Sequence, residues 1–293
     1  ILGESNVATI SINVTDRRTF GNSNNDMGYS VKETSDNGYI IAGKSSISST
    51  YKGIILKTDY DGILEWSNTF SVENKNTVFS ELKISSDGGF VVVGTAYNGN
   101  DRDIIVLKTD NYGNELWRKI IDNQYSDEGM SIHETSDGGF VVSGTSLVKL
   151  SSGGNIIWNK SFNSSGNSIV EDNEGNLIIL GTSSENTYTI QLTKTDSSGN
   201  EIWKKTFGAG KGKSIKPTND GGYILGIESN SGNNAMTMIK VNSDGDQEWS
   251  NSHASQYGQS YLSDIEQTSD GGYILGGYVT TTRNNDMFFV KTD

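Results

Sequence analysis

The sequence predicts an all-β fold, a six-bladed β-propeller of four-stranded antiparallel blades, and two observations lead to this prediction. A hairpin-like segment recurs six times along the 293 residues. Each copy is followed by a further strand-like segment, and in five copies a fourth segment carries a tryptophan. No stretch shows a sustained apolar period of 3.6 residues, which argues against helices. Repeats of about 40 to 50 residues with four short strands each are typical of propeller blades.

A tight turn joins the first two strands of each repeat. Asp-Gly and Asn-Gly steps suit hairpins, because glycine accepts the positive φ angle that such turns require. The turns start 51, 50, 37, 46 and 50 residues apart, which makes this spacing the repeat length. The six turns are Ser35-Asp36-Asn37-Gly38, Ser86-Asp87-Gly88-Gly89, Ser136-Asp137-Gly138-Gly139, Asn173-Glu174-Gly175-Asn176, Asn219-Asp220-Gly221-Gly222 and Ser269-Asp270-Gly271-Gly272.

The second and third strands of each repeat have constant features. The second strand begins with a run that is apolar on both alternating faces, as in FVVVG at 90–94, and therefore predicts a strand covered on both faces. The third strand carries a lysine near its end. We expect these lysines to make one repeated structural contact, with the stem packed and the ammonium paired, rather than a basic ring for an anion. They are Lys57, Lys108, Lys149, Lys194, Lys240 and Lys291.

The fourth strand carries one tryptophan at a constant position, and the sixth repeat has no such strand. A row of tryptophans is also compatible with a sugar platform, but one per repeat favours packing between blades. Burial of each indole contributes on the order of 3 kcal/mol. The tryptophans are Trp66, Trp117, Trp158, Trp203 and Trp249.

We expect one domain over residues 1–293, with blades at about 18–70, 71–121, 122–162, 163–207, 208–253 and 254–293 plus 7–16. The segment VATISINV (7–14) alternates apolar and polar residues and is predicted to complete the last blade, which would close the ring and remove two exposed edges. Asp16 stands where the other fourth strands carry tryptophan. The alternative is that residues 1–17 are a linker from a preceding domain.

Composition and charge exclude several classes of function. The net charge is −13, without a basic cluster, so binding to nucleic acid is not expected. No run of 18 apolar residues is present, so we expect no membrane insertion by this segment. The absence of cysteine excludes disulfides and thiolate chemistry. The first residues contain no initiator methionine, so we expect a piece of a longer polypeptide whose other domains are partners.

With these motifs in view, the repeat resembles the Asp-Gly-Gly-Tyr repeat propellers of prokaryotic secreted and cell-surface proteins. The pattern KTDxxGxxxW also resembles strands of quinoprotein-type propellers. The resemblance covers about residues 18 to 293. It implies an extracellular, cell-surface location and a non-enzymatic binding or adhesion module within a larger protein.

We expect the ligand site on the face that carries the connections between the second and third strands and between blades. These connections vary, whereas the turns on the opposite face are alike, and variable loops on a rigid scaffold are a common basis of specificity. Asparagine, serine and tyrosine dominate there and suit a glycan or protein partner. The candidate ligand-binding residues are Asn25, Tyr51, Tyr97, Asp101, Arg102, Tyr125, Asp127, Tyr188, Asn233, Tyr257 and Arg283.

Two other functions stay open at this point: a structural unit of a sheath, filament or surface layer, and a polysaccharide-acting hydrolase or lyase. The second would use carboxylates of the variable face as an acid/base pair. No catalytic triad or metal-ligand spacing is recognisable, so no catalytic residue and no cofactor is predicted. Calcium is a weaker candidate at 59–62 and 242–248, because neither segment has the twelve-residue loop ending in glutamate. The candidate carboxylates are Asp26, Asp101, Asp127 and Glu128.

Overall fold

The computed structural model describes residues 19–21, 25–47, 50–123, 126–161, 165–183, 188–229, 235–281 and 285–292. These residues form an all-β structure in which every strand pairing is antiparallel. The strands are β1 (Met27–Glu33), β2 (Tyr39–Ile47), β3 (Thr50–Thr58), β4 (Leu64–Phe70), β5 (Asn76–Ile84), β6 (Phe90–Asn98), β7 (Asp101–Thr109), β8 (Glu115–Ile121), β9 (Gly129–Glu134), β10 (Phe140–Gly144), β11 (Ser146–Leu150), β12 (Ile156–Ser161), β13 (Ser165–Glu171), β14 (Leu177–Ser183), β15 (Thr189–Thr195), β16 (Glu201–Pro217), β17 (Tyr223–Ser229), β18 (Met236–Val241), β19 (Gln247–His253), β20 (Gln259–Gln267), β21 (Tyr273–Thr280) and β22 (Asn285–Lys291).

The strands follow one another in space as in sequence and group into six units. Units 1, 2 and 3 are the four-stranded sheets β1–β4, β5–β8 and β9–β12. Units 4 and 5 share the long strand β16, whose partner changes from β15 to β17 between Ala209 and Gly210. Unit 6 contains β20, β21 and β22. The arrangement confirms the all-β fold of four-stranded antiparallel sheets and is consistent with the expected six blades.

The turns between the first and second strands have the backbone conformation that their sequence predicts. Their third residue lies in the left-handed region, with φ between 76° and 89° at the five glycines and 65° at Asn37. Asparagine is among the few non-glycine residues that adopt this conformation readily. The next glycine, as at Gly89, leaves no room for a Cβ, which would lie 2.2 Å from the carbonyl oxygen of Thr109 and 2.6 Å from the Lys108 ammonium.

The six repeated lysines each pair with an aspartate of the same unit, which confirms the predicted structural contact. In five units the partner is the second residue of the tight turn. Unit 4 has Glu174 there, and its lysine pairs instead with Asp172, just before the turn. The pairs are Lys57–Asp36 at 2.8 Å, Lys108–Asp87 at 2.7 Å, Lys149–Asp137 at 2.6 Å, Lys194–Asp172 at 2.8 Å, Lys240–Asp220 at 2.9 Å and Lys291–Asp270 at 2.9 Å.

The apolar core lies between neighbouring units, in five clusters at the junctions 1/2, 2/3, 3/4, 4/5 and 5/6. The second strands are buried on both faces, as β6 shows over Phe90–Gly94. The tryptophans pack across these junctions, so their predicted packing role is confirmed. Trp66 lies 6.0 Å from Phe90, and Trp117 lies 5.9 Å from Phe140, between ring centroids.

The junction between units 6 and 1 is the least packed among the described residues. Val31 is 57% exposed, whereas the residues at its place in the other five units are buried. A Cβ on Gly276 of unit 6 would meet nothing within 4 Å, whereas one on the corresponding Gly226 of unit 5 would lie 2.6 Å from Leu262. The predicted closing strand at 7–14 lies outside the described residues, so its role stays a prediction. The buried residues at the place of Val31 are Leu82, Ile132, Ile169, Ile215 and Ile265.

Candidate functional site

Antiparallel order places the tight turns at one end of every unit and the variable connections at the other. We call these ends the turn face and the variable face. Two hydrogen bonds show that both kinds of variable connection meet at the same end: the Tyr51 N–H donates to the Asn76 side chain at 2.7 Å, and the Asp127 N–H donates to the Arg102 carbonyl at 2.9 Å.

The junction of units 2 and 3 brings three predicted site residues, Tyr97, Arg102 and Asp127, together on the variable face. The Arg102 guanidinium lies 5.8 Å from the ring centroid of Tyr97, within the range of a cation–π contact. The same guanidinium forms an ion pair with Glu128. Asp101, exposed at the start of β7, pairs with Lys75 at 2.8 Å. The hydrogen bonds that Lys75 donates to Asp101 and then to Asp103 raise the pKa of Lys75, which keeps this lysine charged.

Asp127 belongs to this cluster, but its carboxylate is already hydrogen-bonded to neighbouring groups. The residue is 3% exposed. Its carboxylate accepts hydrogen bonds from the Asn123 N–H at 2.8 Å and from the Thr145 hydroxyl at 3.1 Å. A short side chain that follows a strand end often satisfies nearby backbone groups in this way. Asp127 therefore braces the connection between units 2 and 3.

The predicted loop placement is wrong for four candidates, which lie on strands. Tyr51 is in β3, Tyr97 in β6, and Asp101 and Arg102 are in β7. The strands extend farther toward the variable face than the polar composition suggested. β6 and β7 are joined only by Gly99-Asn100, and Asn98 pairs with Asp101. Polar residues continue the ladder here because alternate side chains of a rim strand face solvent.

Two further tyrosines of the variable face are covered by a cation on one side. The Lys44 ammonium lies 4.2 Å from the ring centroid of Tyr51. The Lys211 ammonium lies 5.5 Å from that of Tyr188, whose side chain is 55% exposed. Together with Tyr97, rings in units 1, 2 and 4 are thus held in place by cations.

Unit 6 carries a separate aromatic area on the variable face. Tyr261 and Tyr278 stack with ring centroids 4.8 Å apart, and the sequence interpretation did not single them out. Their position opposite each other on β20 and β21 was the signal that could have found them. Tyr257 is 71% exposed beside a groove of about 750 Å³ that contains Met287 and Phe288.

Asn25 is exposed and makes no contact with the unit 2/3 cluster that is described above. The other three candidates, Tyr125, Asn233 and Arg283, lie outside the described residues. The structure therefore brings together Tyr97, Arg102 and Asp127, and it places Tyr51, Asp101, Tyr188 and Tyr257 at other points of the same face.

A central channel is the feature that the sequence interpretation missed. The first strands of all six units (β1, β5, β9, β13, the second half of β16, and β20) line one cavity of about 360 Å³. Each of these strands has a bulge at the equivalent place, and the residue that follows each bulge lines this cavity. We call these following residues the inner ring: Ser30, Glu81, Ser131, Ser168, Ser214 and Asp264.

The inner ring joins neighbouring units through hydrogen bonds. The first strand is an edge strand, so alternate N–H groups have no partner in their own sheet. In four junctions the inner-ring side chain of one unit accepts such an N–H from the next. The bonds are Leu82 N–H to Ser30 at 3.1 Å, Ile132 N–H to Glu81 at 2.8 Å, Ile169 N–H to Ser131 at 3.3 Å and Ile215 N–H to Ser168 at 3.2 Å. Each ring residue precedes its tight turn by five positions, a spacing by which sequence analysis could have found them.

The turn face, in contrast, satisfies its own polar groups. Besides the lysine–aspartate pairs, the turn between the third and fourth strands of a unit is stabilised by the side chain of its first residue, which accepts backbone N–H groups of the same turn. Asp110 accepts the N–H groups of Tyr112 and Asn114, and Asn242 accepts those of Asp244 and Asp246. In the described ranges, no group of three or more histidine or acidic side chains is arranged to hold a metal ion. Calcium binding at 59–62 or 242–248 stays a prediction.

The two histidines lie apart. His133 is in the first strand of unit 3, where burial and then Lys83 lower its pKa. His253 ends β19, and its pKa is lowered by burial. No helix in the described part of the chain is long and apolar enough to cross a membrane.

Comparison with known proteins identifies the fold. No family model matches the chain, and no curated protein matches it. Solved propeller structures do match. A catalytically inactive virginiamycin B lyase from Staphylococcus aureus with quinupristin has a TM-score of 0.61 at 13% identity, and the aligned region covers 93% of this chain and 86% of the lyase chain. BamB from Moraxella catarrhalis has a TM-score of 0.55 at 14% identity, with 91% and 77% covered. The Dos1 propeller has a TM-score of 0.61 at 13% identity, with 91% and 69% covered.

The fold is a β-propeller. These identities are far below the level at which activity carries over, so the comparisons show the architecture alone. In the propeller, we refer to the six described units as blades; the inner ring lines the central cavity, and the variable face is one end of the fold.

Proposed function

We propose that this propeller is a non-enzymatic binding or adhesion module that recognises a glycan or a protein partner through its variable face. The observation that carries the proposal is the set of tyrosines on that face, each held by a neighbouring cation. Tyr51, Tyr97 and Tyr188 present flat amphipathic rings in three different blades. Rigid tyrosines are efficient contact residues because few rotatable bonds are immobilised on binding.

The contrast between the two faces supports this choice. On the turn face, lysine–aspartate pairs and side-chain-capped turns use the polar groups internally. On the variable face, tyrosine rings stand beside charged groups that reach solvent, such as Asp101 and Arg102, whose side chains are 63% and 42% exposed. Aromatic rings flanked by hydrogen-bonding groups suit sugar rings, whose C–H faces stack on tyrosine and whose hydroxyls need polar partners. A glycan is therefore the favoured partner.

The state of the carboxylates supports a binding module over a hydrolase. An acid/base pair needs two free carboxylates about 5 to 10 Å apart in a shared pocket. Asp101 and Glu128 are engaged in ion pairs with Lys75 and Arg102. Asp127 is buried in a hydrogen-bond network. Asp26 accepts a hydrogen bond from the Ser46 N–H at 3.0 Å.

The proposal includes an extracellular, cell-surface location within a larger polypeptide. Its support is the resemblance of the repeat to propellers of secreted prokaryotic proteins. The acidic, cysteine-free composition is compatible with that setting.

Glycan-array screening followed by titration calorimetry with the best oligosaccharide tests the proposal. Tyr97→Ala and Tyr188→Ala remove rings from the variable face, and the matched control Tyr112→Ala removes a 69% exposed ring from the turn face. Loss of an aromatic contact residue costs about 1–2 kcal/mol, which weakens binding by roughly 5- to 30-fold. We expect this loss for the two variable-face variants and unchanged affinity for Tyr112→Ala.

Equal weakening by Tyr112→Ala would refute the choice of face. Absence of glycan binding, together with capture of a surface protein that Tyr97→Ala and Tyr188→Ala abolish, would assign the face to a protein partner. Turnover of the bound oligosaccharide would refute the non-enzymatic assignment.

A further inference from the structure

The channel has a second ring of side chains closer to the turn face, which the proposed function does not use. Its residues follow the inner ring by two positions, so their side chains are on the same side of the strand and one step nearer the turns. Three of the six are lysines. The members of this mouth ring are Lys32, Lys83, His133, Val170, Lys216 and Glu266.

The lysines of the mouth ring lie in one shared space. Lys32, Lys83 and Lys216 all line the channel cavity of about 360 Å³. They come from blades 1, 2 and 5, so only the closing of the blades around the axis brings them together. Each of the three is partly shielded from solvent.

Among the described residues, two of the lysines have a counter-ion and one has none. Lys83 pairs with Glu81 at 3.0 Å. Lys216 pairs with Asp264 at 3.3 Å and with Glu266 at 2.8 Å. Lys32 forms no ion pair with any residue in the described part of the chain.

The carboxylates of Glu81 and Asp264, whose charges act on Lys32, already accept hydrogen bonds from other groups. Glu81 accepts hydrogen bonds from the Ser131 hydroxyl at 2.7 Å and from the Ile132 N–H at 2.8 Å. Asp264 accepts hydrogen bonds from the Ser214 hydroxyl and, at 2.9 Å, from the N–H of Ile265. Moving either carboxylate toward Lys32 would break contacts that join two blades.

The electrostatics of Lys32 agree with this geometry. Burial, followed by the charges of Lys83 and Lys216, lowers its pKa, while Glu81 and Asp264 act in the opposite direction but do not compensate. A charged lysine in such a position is stabilised when an anion approaches, because the interaction is stronger where solvent screens it less.

We propose that the mouth of the channel binds a small oxyanion, with Lys32 as the principal contact and Lys83 and Lys216 as flanking charges. The chemical class is a ligand with two or more negatively charged oxygens, either phosphate or clustered carboxylates. The cavity volume accommodates an anion of this size together with water. The site is at the opposite end of the channel from the variable face and is independent of the proposed glycan contact.

Titration calorimetry of the whole chain with inorganic phosphate and, separately, with citrate tests the proposal. Lys32→Met removes the charge and keeps most of the side-chain volume, and Lys32→Arg keeps the charge. Lys119→Met is the matched control, because Lys119 is also partly shielded and without a described ion pair but lies on the outer strand β8. We expect saturable binding by the wild type, a loss of about tenfold or more in Lys32→Met, and retention in Lys32→Arg and Lys119→Met.

NMR of the Lys32 side chain in the wild-type protein provides a readout that does not depend on a variant folding. We expect its pKa to rise when the effective probe is added, since a bound anion favours the charged ammonium. A response to phosphate alone assigns a phosphate group, and a response to citrate alone assigns carboxylates. Absence of saturable binding of both probes, or equal weakening in Lys119→Met, would overturn the proposal.

Discussion

Replacement of Ser131 by alanine tests the hydrogen bonds that join blades around the axis. Ser131 belongs to the inner ring and is 3% exposed. Its hydroxyl donates to the Glu81 carboxylate of blade 2 at 2.7 Å and accepts the Ile169 N–H of blade 4 at 3.3 Å. One side chain therefore connects three blades.

The structure sets the size of the effect. A hydrogen bond to a charged group contributes about 1.5–3 kcal/mol, and a neutral one about 0.5–1.5 kcal/mol. Ser131→Ala also leaves the edge-strand N–H of Ile169 without its partner in a buried position. We expect the free energy of unfolding to fall by about 2–4 kcal/mol. At about 2–3 °C per kcal/mol for a chain of this size, the melting temperature falls by roughly 5–10 °C.

Ser143→Ala is the matched control, because Ser143 pairs directly with Ser131 across β9 and β10. Ser143 is fully buried, and its hydroxyl has no hydrogen-bond partner among the described residues. Burial of an unpaired hydroxyl is unfavourable, so its removal is expected to be neutral or stabilising by about 1 kcal/mol.

Urea unfolding followed by circular dichroism and by tryptophan fluorescence measures both variants. Equal destabilisation by Ser131→Ala and Ser143→Ala would refute the reasoning, since it would show that serine volume rather than hydrogen bonding matters. A Ser131→Ala variant as stable as the wild type would show that the inner ring does not hold the blades together.

The remaining predictions concern blade packing and acid stability. Trp117→Ala is expected to lower the free energy of unfolding by about 3 kcal/mol in urea titrations, because the indole packs across the 2/3 junction. Trp249 is 38% exposed, so Trp249→Ala should lower the free energy of unfolding by less. A larger loss in Trp249→Ala than in Trp117→Ala would contradict the packing argument. For Asp137, burial acts against ionisation, but hydrogen bonds from Lys149 and Thr135 outweigh it and lower the pKa to about 2. Its contribution to stability is therefore present above about pH 4 and is lost as the pH falls toward about 2, so thermal melts of Asp137→Asn should lose less stability over this interval than the wild type. An identical acid response in both proteins would contradict the assignment.

The local features of each repeat were predictable from the sequence, because they depend on short-range chemistry. Glycine and asparagine at the turns indicated where φ becomes positive, and Asn37 and Gly88 have this conformation. Regular spacing of lysine and tryptophan indicated contacts that recur in every repeat, and Lys108 and Trp117 make them.

The candidate site was predicted only in part. The predicted variable face includes Tyr97 and Arg102, which meet at one junction, but polarity alone could not distinguish a rim strand from a loop. Nor could polarity show that the Asp127 carboxylate accepts hydrogen bonds from neighbouring backbone and hydroxyl groups. Whether a polar residue is available depends on which partners surround it.

By itself, the sequence determined the repeat, the strand order, and which faces are apolar, since turn propensity and hydrophobic alternation act over a few residues. Only the tertiary structure decided what meets at the axis. Lys32, Lys83 and Lys216 are 51 and 133 residues apart in the chain, and they share one cavity because radial packing brings equivalent first strands together. The cross-blade hydrogen bonds beside this channel join residues 38 to 52 positions apart, and such contacts form only when neighbouring blades pack together.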